Sequence, residues 1–238
     1  MKNITVLAAL LCGLTAGAWA LSIHDVQFAT SAGVDNSYPS SYLGRDVTLE
    51  GVVTATGYRN GGYFISEPVS GAWRGILIYD KRNNPSPGDL VRVSGSVAEL
   101  FGMTCVQDLS AYRLLDRKRP LPMPVIVSTG QISNPLEAEA YEGVYVKLLN
   151  STSNGSKAKS GKFMINDGSG QCSVLTGSFS DKRSLSPAVG VQFSSLTGVV
   201  AFGYGEFSLN PVSTSDIGIQ QPVSTQNRSW GKIKSIYK

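Results

Sequence analysis

Histidine occurs once and cysteine three times in the 238 residues, and that scarcity removes most site chemistry at the outset. A zinc centre draws about four ligands from Cys, His and carboxylates at short spacings. This chain has no CxxC pair and no Cys/His cluster, and its single histidine, His24, stands alone in the segment IHDVQ. A nucleophile elbow, a phosphate-cradling glycine loop and a base paired with a nucleophile are also missing, so the parts that catalysis needs are not there. Asp167-Gly168-Ser169-Gly170 is read as a β-turn rather than a calcium loop. The expectation is a protein without catalysis, metal or cofactor.

Long apolar runs are just as scarce. The first twenty residues, MKNITVLAALLCGLTAGAWA, read as an export signal: Lys2 gives a positive start, Ile4 to Gly13 an apolar stretch, and Ala18-Trp19-Ala20 a small-x-small cleavage site. A membrane anchor is the competing reading, but a span needs about 20 apolar residues. Lipoprotein processing at Cys12 is disfavoured by the bulk of Leu11 before it. No later segment is long or apolar enough to cross a bilayer, so the expected mature chain starts at Leu21 and is secreted or periplasmic. Of the cysteines, Cys105 and Cys172 remain, and their places in different domains favour two buried free thiols over a disulfide. Net charge is weak as well. The formal value is +4, or +3 without Lys2. An anionic partner is permitted, not demanded.

What the chain has is alternation. Apolar and polar residues alternate at period two in VTLEGVV, YFIS, GILIY and LVRVSGSV, and again in YVKLL, KFMIN, CSVL and VQFSSLTGVV. The two sets also match each other in order. YLGRDVTLEGVV aligns with YEGVYVKLLN, GGYFISEPVSG with SGKFMINDGSG, and PGDLVRVSGSVAELFG with AVGVQFSSLTGVVAFG. Each copy offers five strands with its longest connection after the third, the rhythm of a small Greek-key barrel of the OB type. A β-sandwich would want about seven strands per unit. The predicted fold is therefore all-β, two consecutive five-stranded OB-like barrels. Residues 21–118 form the first domain and 119–218 the second, with the Pro120, Pro122 and Pro124 connection of 119–135 at its start and a short strand near Val125 to Val127. Residues 219–238 are a linker followed by a tail. In that tail Ser229, Trp230, Ile233 and Tyr237 fit either a short amphipathic C-terminal helix or a disordered end.

The segments IHDVQ, YLGRDVTLEGVVTA, GGYFISE, GILIYD, PGDLVRVSGSVAELFG and LPMPVIVSTGQI together resemble the OB-fold domain attached to secreted bacterial endonucleases. The match covers most of residues 21 to 132, and a fainter echo runs to about residue 217. It lies in glycine and hydrophobic positions, so it implies fold more than activity. In that family the hydrolytic centre is a separate domain, which this sequence lacks.

Parity then assigns faces. Lys162 and Asn166 demand solvent, which turns Phe163 and Ile165 inward. The same register puts Tyr63, Ile65, Ile76 and Ile78 inside the first barrel and Phe64, Leu77 and Tyr79 outside. OB barrels bind ligands on this face and on the adjoining loops, so the candidate ligand residues are Tyr58, Arg59, Phe64, Trp73, Arg74 and Tyr79. Bases stack on aromatic rings and cations hold phosphates. Cover by the Leu21–Tyr42 segment or by the second barrel is the opposing reading for Phe64 and Tyr79. In the second copy Met164 replaces the outward Phe, and Lys157, Lys159 and Lys162 crowd the loop. Arg113, Arg117, Lys118 and Arg119 form a basic run, read as a linker or a phosphate-binding shoulder. The expected partner is single-stranded nucleic acid, with polysaccharide second and another exported protein third.

Overall fold

The computed structural model describes residues 21–33, 37–156, 161–179 and 185–220. The predicted leader, Lys157 and Lys159, and the predicted tail helix lie outside the described residues. Among the described residues no helix is long and apolar enough to cross a membrane.

Two closed five-stranded barrels follow one another. The first is built from β1 (Asp46–Tyr58), β2 (Gly62–Ser66), β3 (Gly75–Tyr79), β4 (Leu90–Leu100) and β5 (Met103–Asp116), in the closed order β1-β2-β3-β5-β4. A short strand β6 (Val125–Ile126) leads into the second, β7 (Tyr145–Ser156), β8 (Lys162–Asn166), β9 (Gln171–Leu175), β10 (Gln192–Gly203) and β11 (Glu206–Asn210). Its order is β7-β8-β9-β11-β10, closed by pairing of β10 with β7. In each barrel the third strand runs parallel to the fifth, β3 to β5 and β9 to β11, which is the Greek-key closure the repeat predicts.

The copies differ at their ends. β5 continues along β4 as far as the Leu90↔Asp116 pair. Its counterpart stops at Asn210, because Pro211 has no N–H for the ladder, and resumes as β12 (Ile217–Ile219) against β10. The repeat also slips by two residues in the last hairpin. The second turn is made by Tyr204-Gly205, not by Phe202-Gly203 as the AFG alignment implies, since Gly203 pairs with Glu206.

Each barrel is closed at one end by a capped single-turn helix, an element the strand pattern did not announce. In α1 (Ile23–Gln27) the Ser22 hydroxyl accepts from Asp25 N at 3.1 Å while the Asp25 carboxylate accepts from Ser22 N at 3.0 Å. In α2 (Thr129–Ser133) Ser128 and Gln131 repeat that exchange. Such reciprocal caps fix the entry of a very short helix. Ile23 and Val26 then enter the first core, with Tyr63, Ile65, Ile76 and Ile78, and Ile132 enters the second, with Phe163 and Ile165. Asp167–Gly170 turns from β8 to β9, and the Asp167 carboxylate accepts from Thr129 N (2.9 Å) and Thr129 Oγ1 (2.7 Å), tying turn to helix. Cys105 and Cys172 are both buried and unpaired.

A third apolar cluster lies between the barrels. Ala55, Tyr58, Phe64, Leu77, Met103 and Cys105 of the first meet Phe179, Val199 and Ala201 of the second. Parity places Phe64 outside its own barrel as expected, yet it is 0% exposed, because the neighbouring barrel covers it. Backbone contact is closest at Gly75 and Gly143, where a Cβ on Gly75 would sit 2.2 Å from the Gly143 carbonyl oxygen. Gln27 Nε2 spans the same junction, donating to Gly75 O (2.7 Å) and Glu142 O (3.3 Å).

Truncating a fully buried Phe removes its transfer free energy and leaves a cavity, typically about 3–5 kcal/mol. Phe64→Ala is therefore expected to lower the unfolding free energy by about 3 kcal/mol or more in denaturant titration. A loss near zero, the usual result for an exposed ring, contradicts this packing.

Candidate functional site

Of the six side chains picked from the sequence, the seam claims two outright. Tyr58 is 1% exposed and Phe64 0%, and the two rings meet edge-on at 5.1 Å with Phe179 completing the group. They are packing residues, and the outward platform proposed for the first barrel is not open to a ligand. Trp73 is half-buried, with its backbone N–H donating to Ala140 O at 2.6 Å and its ring against Phe28 at 5.4 Å, so it too joins the halves. Arg74 is neutralised by an ion pair with Glu67. Tyr79 sits half-buried at the far rim with the Lys81 ammonium 5.5 Å from its ring centre.

Arg59 is placed differently from the other five. It occupies the β1–β2 turn at φ +40°, and its backbone N–H donates to Ser178 O across the seam at 3.0 Å. Its guanidinium carbon lies 5.3 Å from the Tyr58 ring, 5.8 Å from Phe101 and 5.9 Å from Tyr204. Among the described residues no carboxylate lies within ion-pair distance of it.

Phe101 and Tyr204 were not picked from the sequence. They stand at the tips of the β4–β5 and β10–β11 hairpins, 70% and 96% exposed. Each is the first residue of a two-residue turn, with φ +57° before Gly102 at +83° and φ +56° before Gly205 at +79°. Such turns want positive φ at both positions, which favours Asn, Asp or Gly in the first. An aromatic residue there is held at a cost of about 1 kcal/mol or more. Both copies accept this strain, and both rings end beside the same guanidinium. An aromatic residue preceding glycine in the last hairpin of each copy, Phe101-Gly102 and Tyr204-Gly205, is the signal that the sequence carries for this pair.

Three carboxyls converge on the other side of the seam. Glu139, in a 3-10 turn at Glu139–Tyr141, and Glu142 precede β7 and are 3% and 2% exposed. Glu142 Oε1 accepts from Thr104 N at 2.8 Å, and Glu99 Oε1 accepts from Thr104 Oγ1 at 2.7 Å. Burial, then the charge of Glu99, pushes the Glu139 carboxyl up to about 8. Burial, Glu139 and Glu99 drive Glu142 higher than an ordinary carboxylate, against the Thr104 hydrogen bond that favours its anion. Among the described residues no group of three or more His, Cys, Asp or Glu is arranged to hold a metal ion.

No family model matches the chain, and no curated protein matches it. Among solved structures the chain is similar to a murine DNA-binding protein bound with double-stranded DNA, at 12% identity over 73% of this chain and 97% of that one, with a TM-score of 0.33. It is also similar to the p204 HINb domain, at 12% identity over 72% and 95% with a TM-score of 0.32. A third likeness is to the Ifi202 HINa domain in complex with 20 bp double-stranded DNA, at 11% over 75% and 96% with a TM-score of 0.31.

The buried acids give the seam a pH dependence. Both keep protons in the folded chain at pH values where the unfolded chain has released them. The stability that Glu139 contributes is complete below its ordinary value of 4.5 and is lost as pH rises through about 8, and Glu142 acts in the same direction. The thermal midpoint is therefore expected to fall between about pH 5 and about pH 9, and Glu139→Gln to flatten that fall. A wild-type midpoint that rises over this range contradicts the assignment.

Proposed function

We propose that the chain is an exported, non-catalytic binding module that holds single-stranded nucleic acid along the open edge of the seam. Arg59 meets phosphate, and Phe101 and Tyr204 offer faces for bases. The observation that carries this reading is the guanidinium free of carboxylates and flanked by two exposed rings, one from each barrel. Stacking on such rings contributes about 1–3 kcal/mol per base, and it requires bases whose faces are not already stacked in a duplex. A neutral glycan could use the rings but would leave Arg59 without an anion. Export rests on the sequence of residues 1–20, and the resemblance to the OB domain of secreted endonucleases fits an extracellular nucleic-acid ligand without a hydrolytic centre.

Fluorescence anisotropy with a labelled single-stranded oligonucleotide at two salt concentrations tests this. Affinity is expected to fall with added salt as phosphate-bound counterions are displaced. Phe101→Ala and Tyr204→Ala are each expected to weaken binding about tenfold, and Arg59→Ala to reduce the salt slope as well. Binding that ignores both salt and Arg59 overturns the reading and favours a neutral polysaccharide.

A further inference from the structure

The face that the first barrel loses to packing is kept hollow in the second. Register equates the two. In the first barrel Phe64 of β2 pairs with Leu77 of β3, and Leu77 with Cys105 of β5. In the second Met164 of β8 pairs with Ser173 of β9, and Ser173 with Ser208 of β11. Leu and Cys in one copy are thus Ser and Ser in the other, and the volume missing from those side chains appears as space.

That space is a cavity of about 250 Å³ walled by Leu175, Ala201 and Phe202, with Ser173 and Ser208 among its lining and Arg59, Lys162, Tyr204 and Glu206 around it. Ser173 is 3% exposed, and its hydroxyl has no hydrogen-bond partner among the described residues, whereas the Ser208 hydroxyl donates to Ala201 O at 3.4 Å. A buried polar group left unpaired is destabilising until a partner reaches it. Ser173 lines an apolar hollow and carries an unpartnered hydroxyl that rotation about χ1 would turn toward a guest, and a few polar groups orienting an otherwise apolar guest are the pattern of a ligand pocket.

The charge around the cavity comes from both barrels. Lys162 is ion-paired with Glu206, so the uncompensated charge is that of Arg59, from the first barrel. Gly203 permits this reach, because a Cβ there would lie 2.9 Å from Arg59 Nη2. The guest is therefore anionic at one end, flat and largely apolar in its body, and polar at an edge.

Resting on the nucleic-acid reading above, we propose that this composite cavity takes one nucleobase of a bound single strand, its edge hydrogen-bonded to Ser173 Oγ and its phosphate against Arg59. Tyr204 stands beside the inserted base. The second barrel then reads a base, while the first supplies the charge and the wall behind it.

The test compares a labelled oligothymidine with an abasic deoxyribose-phosphate oligomer of the same length, using the full chain. Wild type is expected to prefer the base-bearing strand by at least tenfold. Ser173→Leu, which installs the residue of the first barrel, is expected to abolish most of that preference while the salt dependence of residual binding stays unchanged. Ser173→Ala, which keeps the backbone and removes only the hydroxyl, is expected to lower affinity for the base-bearing strand about fivefold, and Ser173→Thr to retain most of it. Gly203→Ala, which displaces Arg59, is expected to weaken both strands. Should wild type bind both strands equally, the phosphate reading stands and the base pocket is wrong. Should it bind neither, the nucleic-acid reading itself fails. A Ser173→Ala protein that melts like wild type and keeps the full preference overturns the role of the hydroxyl.

Discussion

Burial of Phe64 and Leu77 against Phe179, Val199 and Ala201 is the constraint on which the other features depend. A five-stranded barrel of this size has an apolar inside and, on part of its outside, an apolar face that water disfavours. Here that outer face is covered by a second copy of the same barrel. Close approach then demands glycine at both Gly75 and Gly143, and the amide nitrogen of Gln27 bridges the junction by donating to Gly75 O and Glu142 O. The position of Arg59 follows as well, since its N–H is fixed to Ser178 of the other barrel.

The duplication has consequently divided its labour. One outer face is large and apolar and packs; its counterpart is small and hydroxyl-bearing and remains hollow. The aromatic tips Phe101 and Tyr204 keep equivalent places in the two copies, and the packing brings them to one guanidinium. A site assembled this way exists only while the barrels stay locked. The protonated carboxyls at Glu139 and Glu142 therefore link the site's integrity to pH, because their ionisation would place unpaired charge in the junction.

Much of the fold was legible because period-two alternation and repeat order are local signals. They give five strands per copy, the inward set Tyr63, Ile65, Ile76 and Ile78, and the short strand at Val125. The helices α1 and α2 were less visible, being single turns whose evidence is a capping box rather than an apolar stripe. The site was harder still. Parity states that Phe64 points away from its own barrel, but whether water or another barrel meets it is a matter of tertiary contact that no local pattern encodes. Arg59 was found from its loop and its chemistry. Phe101 and Tyr204 were missed because an aromatic residue in a tight turn stands out only once its backbone is seen at positive φ, and Ser173 because a missing volume has no sequence signature.

The two buried thiols report on the central claim without any substitution. Cys105 belongs to the seam and Cys172 to the core of the second barrel, and burial pushes the Cys105 thiol up to about 12 and raises Cys172 as well. Labelling of the native protein by a thiol reagent, followed at each cysteine by mass spectrometry, measures how often each region opens. A closed seam predicts that Cys105 is protected to nearly the same degree as Cys172. Labelling of Cys105 at the rate of an exposed thiol, with Cys172 still protected, would show two barrels that do not share a face.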